Sequence, residues 1–490
     1  MTHMPKHRAS FRTRLIHSVS ALALAAAVPS LARAQSLEES LTAAYGSNPQ
    51  LQAERAQLRA TDEDVPQALA NWRPSVTLSA SGGISHSATN AGTVAPTPLP
   101  ATNPLAPTLN PVLDQLAASS GAGPSTGHPT DYGVTISQPL YRGGRTTAQT
   151  SQAYNLVRSE RANLVNVEQN VFLTVVTDYM NVVEDQATVD LNVNNEQVQR
   201  RQLEATQDRF KVGEVTRTDV AQAEASYAQA AAGRQTAEGQ LQVARAAFEH
   251  DVGVAPTKLV APGAAPTLPT SRADSTQIAA VGAPSVIQAQ YAQAAAEDNV
   301  AVVRGQLLPT ITLQGSVSRT TDQQQVGLRV DSESITAQLS VPLYEGGAIY
   351  SQTRQAQQVV SQRKSQVDDA RRAAVQAAAS AWEQLQSTRA TLKSLEEQVR
   401  ADEIALEGTQ REEQVGSRTV LDTLNAEQTL FQARVSLVQS QRDEVVNEFT
   451  LAQAVGRLTA KTLGLPVEYY DPDKNFDLVH NKWAGFGTAE

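Results

Sequence analysis

The residues that could carry chemistry are few and poorly spaced for catalysis. Beyond residue 34 there are four histidines, His86, His128, His250 and His480, with no ligand spacing among them. Cysteine is absent, which excludes disulfides, thiolate metal sites and a lipidated cysteine at a mature N-terminus. No phosphate loop or nucleophile motif occurs, and no carboxylate pair of a glycan-processing kind is recognisable. The pairs Gly143-Gly144 and Gly346-Gly347 lack the rest of a dinucleotide fingerprint. What does recur is a threonine three residues before an aspartate, Thr216-x-x-Asp219 and Thr419-x-x-Asp422, each just after a Val-Gly pair. That spacing opens a helix, and an acid in its first turn is stabilised by the helix dipole. The sequence therefore predicts no enzyme and no cofactor.

The elements around those residues come in two copies. Gln138-Pro-Leu-Tyr-Arg-Gly-Gly144 returns as Val341-Pro-Leu-Tyr-Glu-Gly-Gly347, an offset of 203 residues. The same offset carries Val212-Gly213 onto Val415-Gly416, Asp219 onto Asp422, and Val252-Gly253 onto Val455-Gly456. Upstream, Pro49 and Pro74 match Pro284 and Pro309 at an offset of 235. The difference, 235 − 203 = 32 residues, falls in a proline-rich stretch between Pro74 and Pro139 that reads as a long irregular loop. The predicted units are a first repeat over 35–270, a second over 271–456 and a tail over 457–490.

Each repeat has one order of patterns. Residues 37–72 read as helix, opened by Ser36-x-x-Glu39 and restarted at Asn48-Pro49. A period of two follows: Val76, Leu78 and Ala80 alternate with Ser and Thr, as do Tyr132, Val134 and Ile136 after the loop. The second repeat offers Ile311, Leu313, Gly315, Val317 and then Ile335, Ala337, Leu339, Val341, so four strands are predicted per chain. Between Gly144 and Gly213 there is neither proline nor glycine. Leu164, Val171, Val175, Val182 and Val189 form one apolar stripe, and Val165, Phe172, Val176, Tyr179 and Val183 form another. Two stripes at coiled-coil spacing predict a rod of roughly 100 Å with neighbours on two sides. A second rod is predicted over 348–413, with shorter helices over 219–252, 276–307 and 419–455.

Lys6, Arg8, Arg12 and Arg14, an apolar run around Ala21 to Val28 and then Ala32-Arg33-Ala34 have the order of an export signal over 1–34. Removing it takes five basic residues and leaves 35 − 50 = −15, a charge that argues against a nucleic-acid partner. No later stretch of about 20 apolar residues could span a bilayer as a helix, so any membrane span must be a barrel. Four strands cannot close one: an open edge in hydrocarbon leaves backbone groups unpaired, and several chains must share the barrel. Trp72, Tyr141 and Tyr344 flank the strands and are expected at one rim, as a membrane-interface belt or as plain packing where strand meets helix. A soluble β-sandwich on a coiled-coil stalk shares the same periodicity.

The doubled Pro-Leu-Tyr-x-Gly-Gly, the doubled Val-Gly turn with an aspartate six residues later, and Leu308-Pro-Thr-Ile-Thr-Leu313 resemble the TolC family over nearly the whole mature chain. The resemblance implies a mainly α fold with a small β part: a homotrimer whose twelve strands form one outer-membrane barrel, continued by a long periplasmic helical barrel. It implies a passive exit duct for efflux or type I secretion, served by a periplasmic adaptor and an inner-membrane pump or ABC exporter. It places Val212, Gly213, Val415 and Gly416 at adaptor-docking turns of the periplasmic mouth, and Thr218, Asp219, Glu413, Arg418, Asp422 and Asn425 at its constriction. Asn425 stands where relatives have a second aspartate, and Glu413 where they have a gating tyrosine. A single Asp422 ring, with Arg418 bonding Asp219 of a neighbouring helix pair, is the expected gate. The tail resembles one that packs around the middle of the helical barrel. A periplasmic adaptor, predicting one hairpin and a lipoyl-like domain, and a secreted coiled-coil structural protein are the rival readings.

Overall fold

The computed structural model describes residues 35–88, 97–119, 124–260, 262, 266–323 and 327–487; the expected export signal lies outside the described residues. The first helices start where side chains satisfy free backbone N–H groups. The Ser36 hydroxyl accepts from the Glu39 N–H while Glu39 reaches back to Ser36, opening α1 (Leu37–Ser47). Asn48 ends α1 and caps α2 (Pro49–Asp62), whose first residue is a proline that needs no donor. After α3 (Asp64–Ala70) come β1 (Ser75–Gly82), β2 (Ser85–Ala88), α4 (Ala106–Ser119), β3 (Pro124–Gly127) and β4 (Thr130–Arg142). The rod α5 (Arg145–Lys211) and its return α6 (Arg217–Val252) complete the first repeat.

The second repeat runs through α7 (Arg272–Gly282), α8 (Pro284–Arg304), β5 (Thr310–Thr321), β6 (Arg329–Ser340), α9 (Ala348–Gln414) and α10 (Val420–Ala454). Its helix break at Ala283-Pro284 repeats the break at Asn48-Pro49. Both rods are 67 residues long, about 100 Å at ~1.5 Å per residue. The tail adds α11 (Ala460–Leu463) and α12 (Pro472–Val479).

The stretch expected to be an irregular loop is partly ordered. It holds α4 and a second, two-stranded sheet of β2 and β3. Pro107 sits in the first turn of α4, where the N–H is not needed, while Pro111 lies inside the helix and forgoes the bond back to the Pro107 carbonyl. The Asn110 amide also holds Leu99 by both its N–H and C=O.

The main sheet has the order β1-β4-β5-β6, all antiparallel, so β1 and β6 are its edges. Directly paired residues share a face. Leu78, Val134, Val317 and Glu333 form one row, and Val76, Ile136, Gly315 and Ile335 form the next. The opposite face is mostly polar, as in the row Thr77, Thr135, Ser316, Ser334, with Val330 an apolar exception at the far end.

Rod α5 lies against α6 and α8, rod α9 against α10 and α8, and α10 also meets α5. The first α5 stripe is buried in full, while Val165 and Val183 of the second are half-buried. The main core is at mid-height, where Phe172 meets Tyr45 and Tyr179 meets Phe248 at ring distances of 6.1 and 6.2 Å. Tyr179 also donates to the Gln35 and Val260 carbonyls, at 2.9 and 2.5 Å, pinning the start of the first repeat to its end.

Candidate functional site

The turns that join rod to return helix are built alike. Gly213 and Gly416 have φ near +80°, a left-handed conformation that glycine adopts without strain. In one, Gly213 N–H bonds the Phe210 carbonyl and Glu214 N–H the Arg209 carbonyl; in the other, Gly416 bonds Glu413 and Ser417 bonds Glu412. Each return helix then opens with a complete capping box, Thr216 with Asp219 and Thr419 with Asp422. Val212 and Val415, 72% and 80% exposed, project from the tips.

Capping fixes both aspartates. The Asp219 carboxylate accepts from the Thr216 hydroxyl and N–H at 2.7 and 2.8 Å, and Asp422 from the Thr419 hydroxyl and N–H at 2.8 and 3.0 Å. The Thr216 hydroxyl, then its N–H, lowers the Asp219 pKa; the Thr419 N–H, then its hydroxyl, lowers that of Asp422. Both stay charged at neutral pH. Thr218 is exposed beside Asp219.

Arg418 and Glu413 each have a partner within the protomer. Arg418 Nε bonds Glu412 at 2.9 Å rather than Asp219, because Glu412 lies on the same turn and the cap already engages Asp219. Glu413 is buried and accepts from Arg209 at 2.9 Å, an ion pair that crosses from the first hairpin to the second. Higher up, Gln199 of α5 donates to the buried Glu427 of α10 at 3.0 Å. Burial raises the Glu427 pKa, the amides of Gln199 and Gln410 oppose the shift, and the neighbouring Glu413 charge adds to it. Asn425 lines a cavity of about 370 Å³ between the hairpins, together with Gln199, Gln222 and Gln428. Arg209 escaped the sequence reading because its counterpart in the repeat is Glu412, and only Glu413 breaks the symmetry.

At the other end of the molecule, Trp72, Tyr141 and Tyr344 all lie where the strands meet the helices, and all three are exposed. The far end of the sheet's apolar face carries Tyr132, Arg319 and Asp331 in one row, with Arg319 bonded to Asp331 at 2.6 Å. Their strand parity placed these charges on the apolar face, although the sequence analysis did not single them out. Among the described residues no group of three or more His, Cys, Asp or Glu side chains could hold a metal ion.

The tail, expected near the middle of the helices, starts there and climbs. Ala460 N–H bonds Glu168, Asp473 pairs with Arg161 at 2.6 Å, and Phe476 packs on Tyr154. These partners, Glu168, Arg161 and Tyr154, are seven residues apart on one side of α5. From Glu168 to Tyr154 is roughly 20 Å at the rise of a helix. Asn475 bonds Asp62, and Arg73, just before β1, donates to the Lys482 carbonyl at 2.6 Å.

Comparison with known proteins agrees with this architecture. The family model described as "Outer membrane efflux protein" matches residues 41–253 and 276–457, one span per repeat. The outer membrane efflux protein BepC of Brucella suis biovar 1 is 33% identical over 463 residues, 94% of this chain and 93% of that one. The outer membrane protein TolC of Vibrio cholerae serotype O1 is 26% identical over 67% of this chain and 76% of its own. The solved CmeC outer membrane channel of Campylobacter jejuni superposes with a TM-score of 0.73 at 15% identity, covering 91% of this chain and 89% of that one, a likeness of fold. With the repeat, the two-faced sheet and the paired rods on the same pattern, this chain belongs to the outer membrane efflux protein family, the TolC-type exit ducts of efflux and type I secretion systems, and is a channel rather than an enzyme.

Proposed function

We propose that three copies of this chain close one barrel in the outer membrane and one helical duct in the periplasm, shut at the turns by the Arg209–Glu413 clasp and a ring of Asp422. The observation that carries the reading is the sheet: four strands, apolar on one face and polar on the other, with both edges β1 and β6 exposed. In lipid such edges require partners, and neighbouring copies supply them. Rod α9 supports the same arrangement, since it is far more exposed than α5 and leaves one side free for a neighbour.

The duct has no energy source of its own, so an inner-membrane pump or ABC exporter drives transport and a periplasmic adaptor docks at Val212, Gly213, Val415 and Gly416. Outer-membrane lipid covers the apolar face. In a trimer three Asp422 carboxylates gather near the axis, where they attract cations. Opening separates the two hairpins of each protomer at Arg209 and Glu413.

The chain has no cysteine, so engineered thiols are unambiguous. Thr77 on β1 and Ser334 on β6 share a row on the polar face but lie three strand spacings apart in one protomer, roughly 14 Å. A short bifunctional maleimide applied to Thr77→Cys/Ser334→Cys in native membranes is expected to give covalent dimers and trimers only. Monomers alone, or a ladder running past three, would overturn the trimeric barrel.

A further inference from the structure

Two aromatic groups near the end of the described tail are largely exposed. Past Lys482, Trp483 is 70% exposed and Phe486 is wholly exposed. Trp483 is held in place. Arg73 holds the Lys482 carbonyl and stacks its guanidinium over the Trp483 ring at 4.8 Å. Arg73 stands two residues before β1 and directly after Trp72, so Trp483 lies within an arginine's reach of the foot of the sheet. Six other side chains exposed at that foot are Trp72, Leu140, Tyr141, Leu308, Leu343 and Tyr344.

We infer that residues 483–486 form an interfacial foot that rests on the periplasmic leaflet of the outer membrane, with Trp483 and Phe486 at headgroup depth. The inference rests on the barrel placement proposed above and adds a lipid partner for the tail. The chemistry fits that surface. An indole partitions to a membrane interface, where its apolar ring and polar N–H are both satisfied, and a phenyl ring beside it adds apolar area at the same depth. The climb along α5 through Arg161 and Tyr154 has a purpose on this reading, since it delivers the foot to the one level where lipid is present.

The test uses tryptophan fluorescence of the full chain in vesicles of phosphatidylcholine brominated on the acyl chains close to the headgroup, against unbrominated vesicles. The protein has three tryptophans, Trp72, Trp382 and Trp483. One variant, Trp72→Phe/Trp382→Phe, reports Trp483; another, Trp382→Phe/Trp483→Phe, reports Trp72. Both are expected to lose roughly half of their emission in brominated lipid, as interface residues should. Quenching of Trp72 without quenching of Trp483 would overturn the foot and leave the barrel standing. A Trp483 emission that is blue-shifted yet unquenched would assign it to a neighbouring protomer and also overturn the foot. Absence of quenching at both positions would remove the barrel placement as well.

Discussion

Arg209, near the end of the first rod, donates to the buried carboxylate of Glu413, near the end of the second, at 2.9 Å. The two residues are 204 apart in sequence and belong to different hairpins. The same guanidinium also reaches Glu214 at 3.3 Å within its own turn. Arg209 thus ties the ends of the two rods to each other.

Removing the clasp is expected to loosen the mouth. Arg209→Ala and Glu413→Ala should each raise single-channel conductance in planar bilayers. The double variant should gain little beyond either one, with a coupling of about 1–2 kcal/mol between a buried acid and a partly exposed base. Additive effects would mean that the pair does not act as a unit.

Charge and capping at Asp422 are separable. Asp422→Asn keeps an acceptor for the Thr419 N–H but removes the negative charge, and should abolish cation selectivity while leaving thermal stability nearly unchanged. Thr419→Ala keeps the charge and loses the hydroxyl cap, at a cost of about 1 kcal/mol. Reversal potentials measured for both variants check this; unchanged selectivity in Asp422→Asn rules out the ring.

Asp178 on α5 is buried beside Asp251 of α6, which in turn is bonded to His250 at 2.8 Å. Burial, then hydrogen bonding and charge from Asp251, push the Asp178 carboxyl up to about 7, with His250 opposing. The native state therefore holds the extra proton between the ordinary value of 3.8 and about 7, and stability falls as pH rises through that window. The slope cannot exceed about 1.4 kcal/mol per pH unit for one proton. Asp178→Asn should flatten the dependence of Tm on pH in detergent over the window between 3.8 and about 7. A wild-type Tm that rises over that range would contradict the assignment.

The repeat makes a matched pair of glycine tests. Gly143 and Gly346 share φ of +63°, so alanine strains both. A β-carbon at Gly143 would also collide with the Gly305 carbonyl oxygen and lie 2.8 Å from Leu308 Cβ, whereas at Gly346 it meets nothing within 4 Å among the described residues. Gly143→Ala should sharply reduce the yield of folded protein in the membrane, while Gly346→Ala should cost only about 1 kcal/mol. Equal yields would show that the approach at Gly143 relaxes easily.

Much of this molecule is written locally. Period-two alternation determined the strands and their two faces, because successive side chains in a strand point to opposite sides. Absence of proline and glycine from Gly144 to Gly213, with a capping box at each return, determined rods and turns to within a few residues. The offset of 203 assigned the second half once the first was read. Tertiary structure alone decided which rod residues face one another: that Glu413 meets Arg209, that Arg418 turns to Glu412, and that Asp178 shares a site with Asp251. It also decided that the tail ends at Arg73. These pairings depend on how each helix is rotated about its axis against partners hundreds of residues away. Periodicity marks the buried side of a helix without naming the residue that will meet it there.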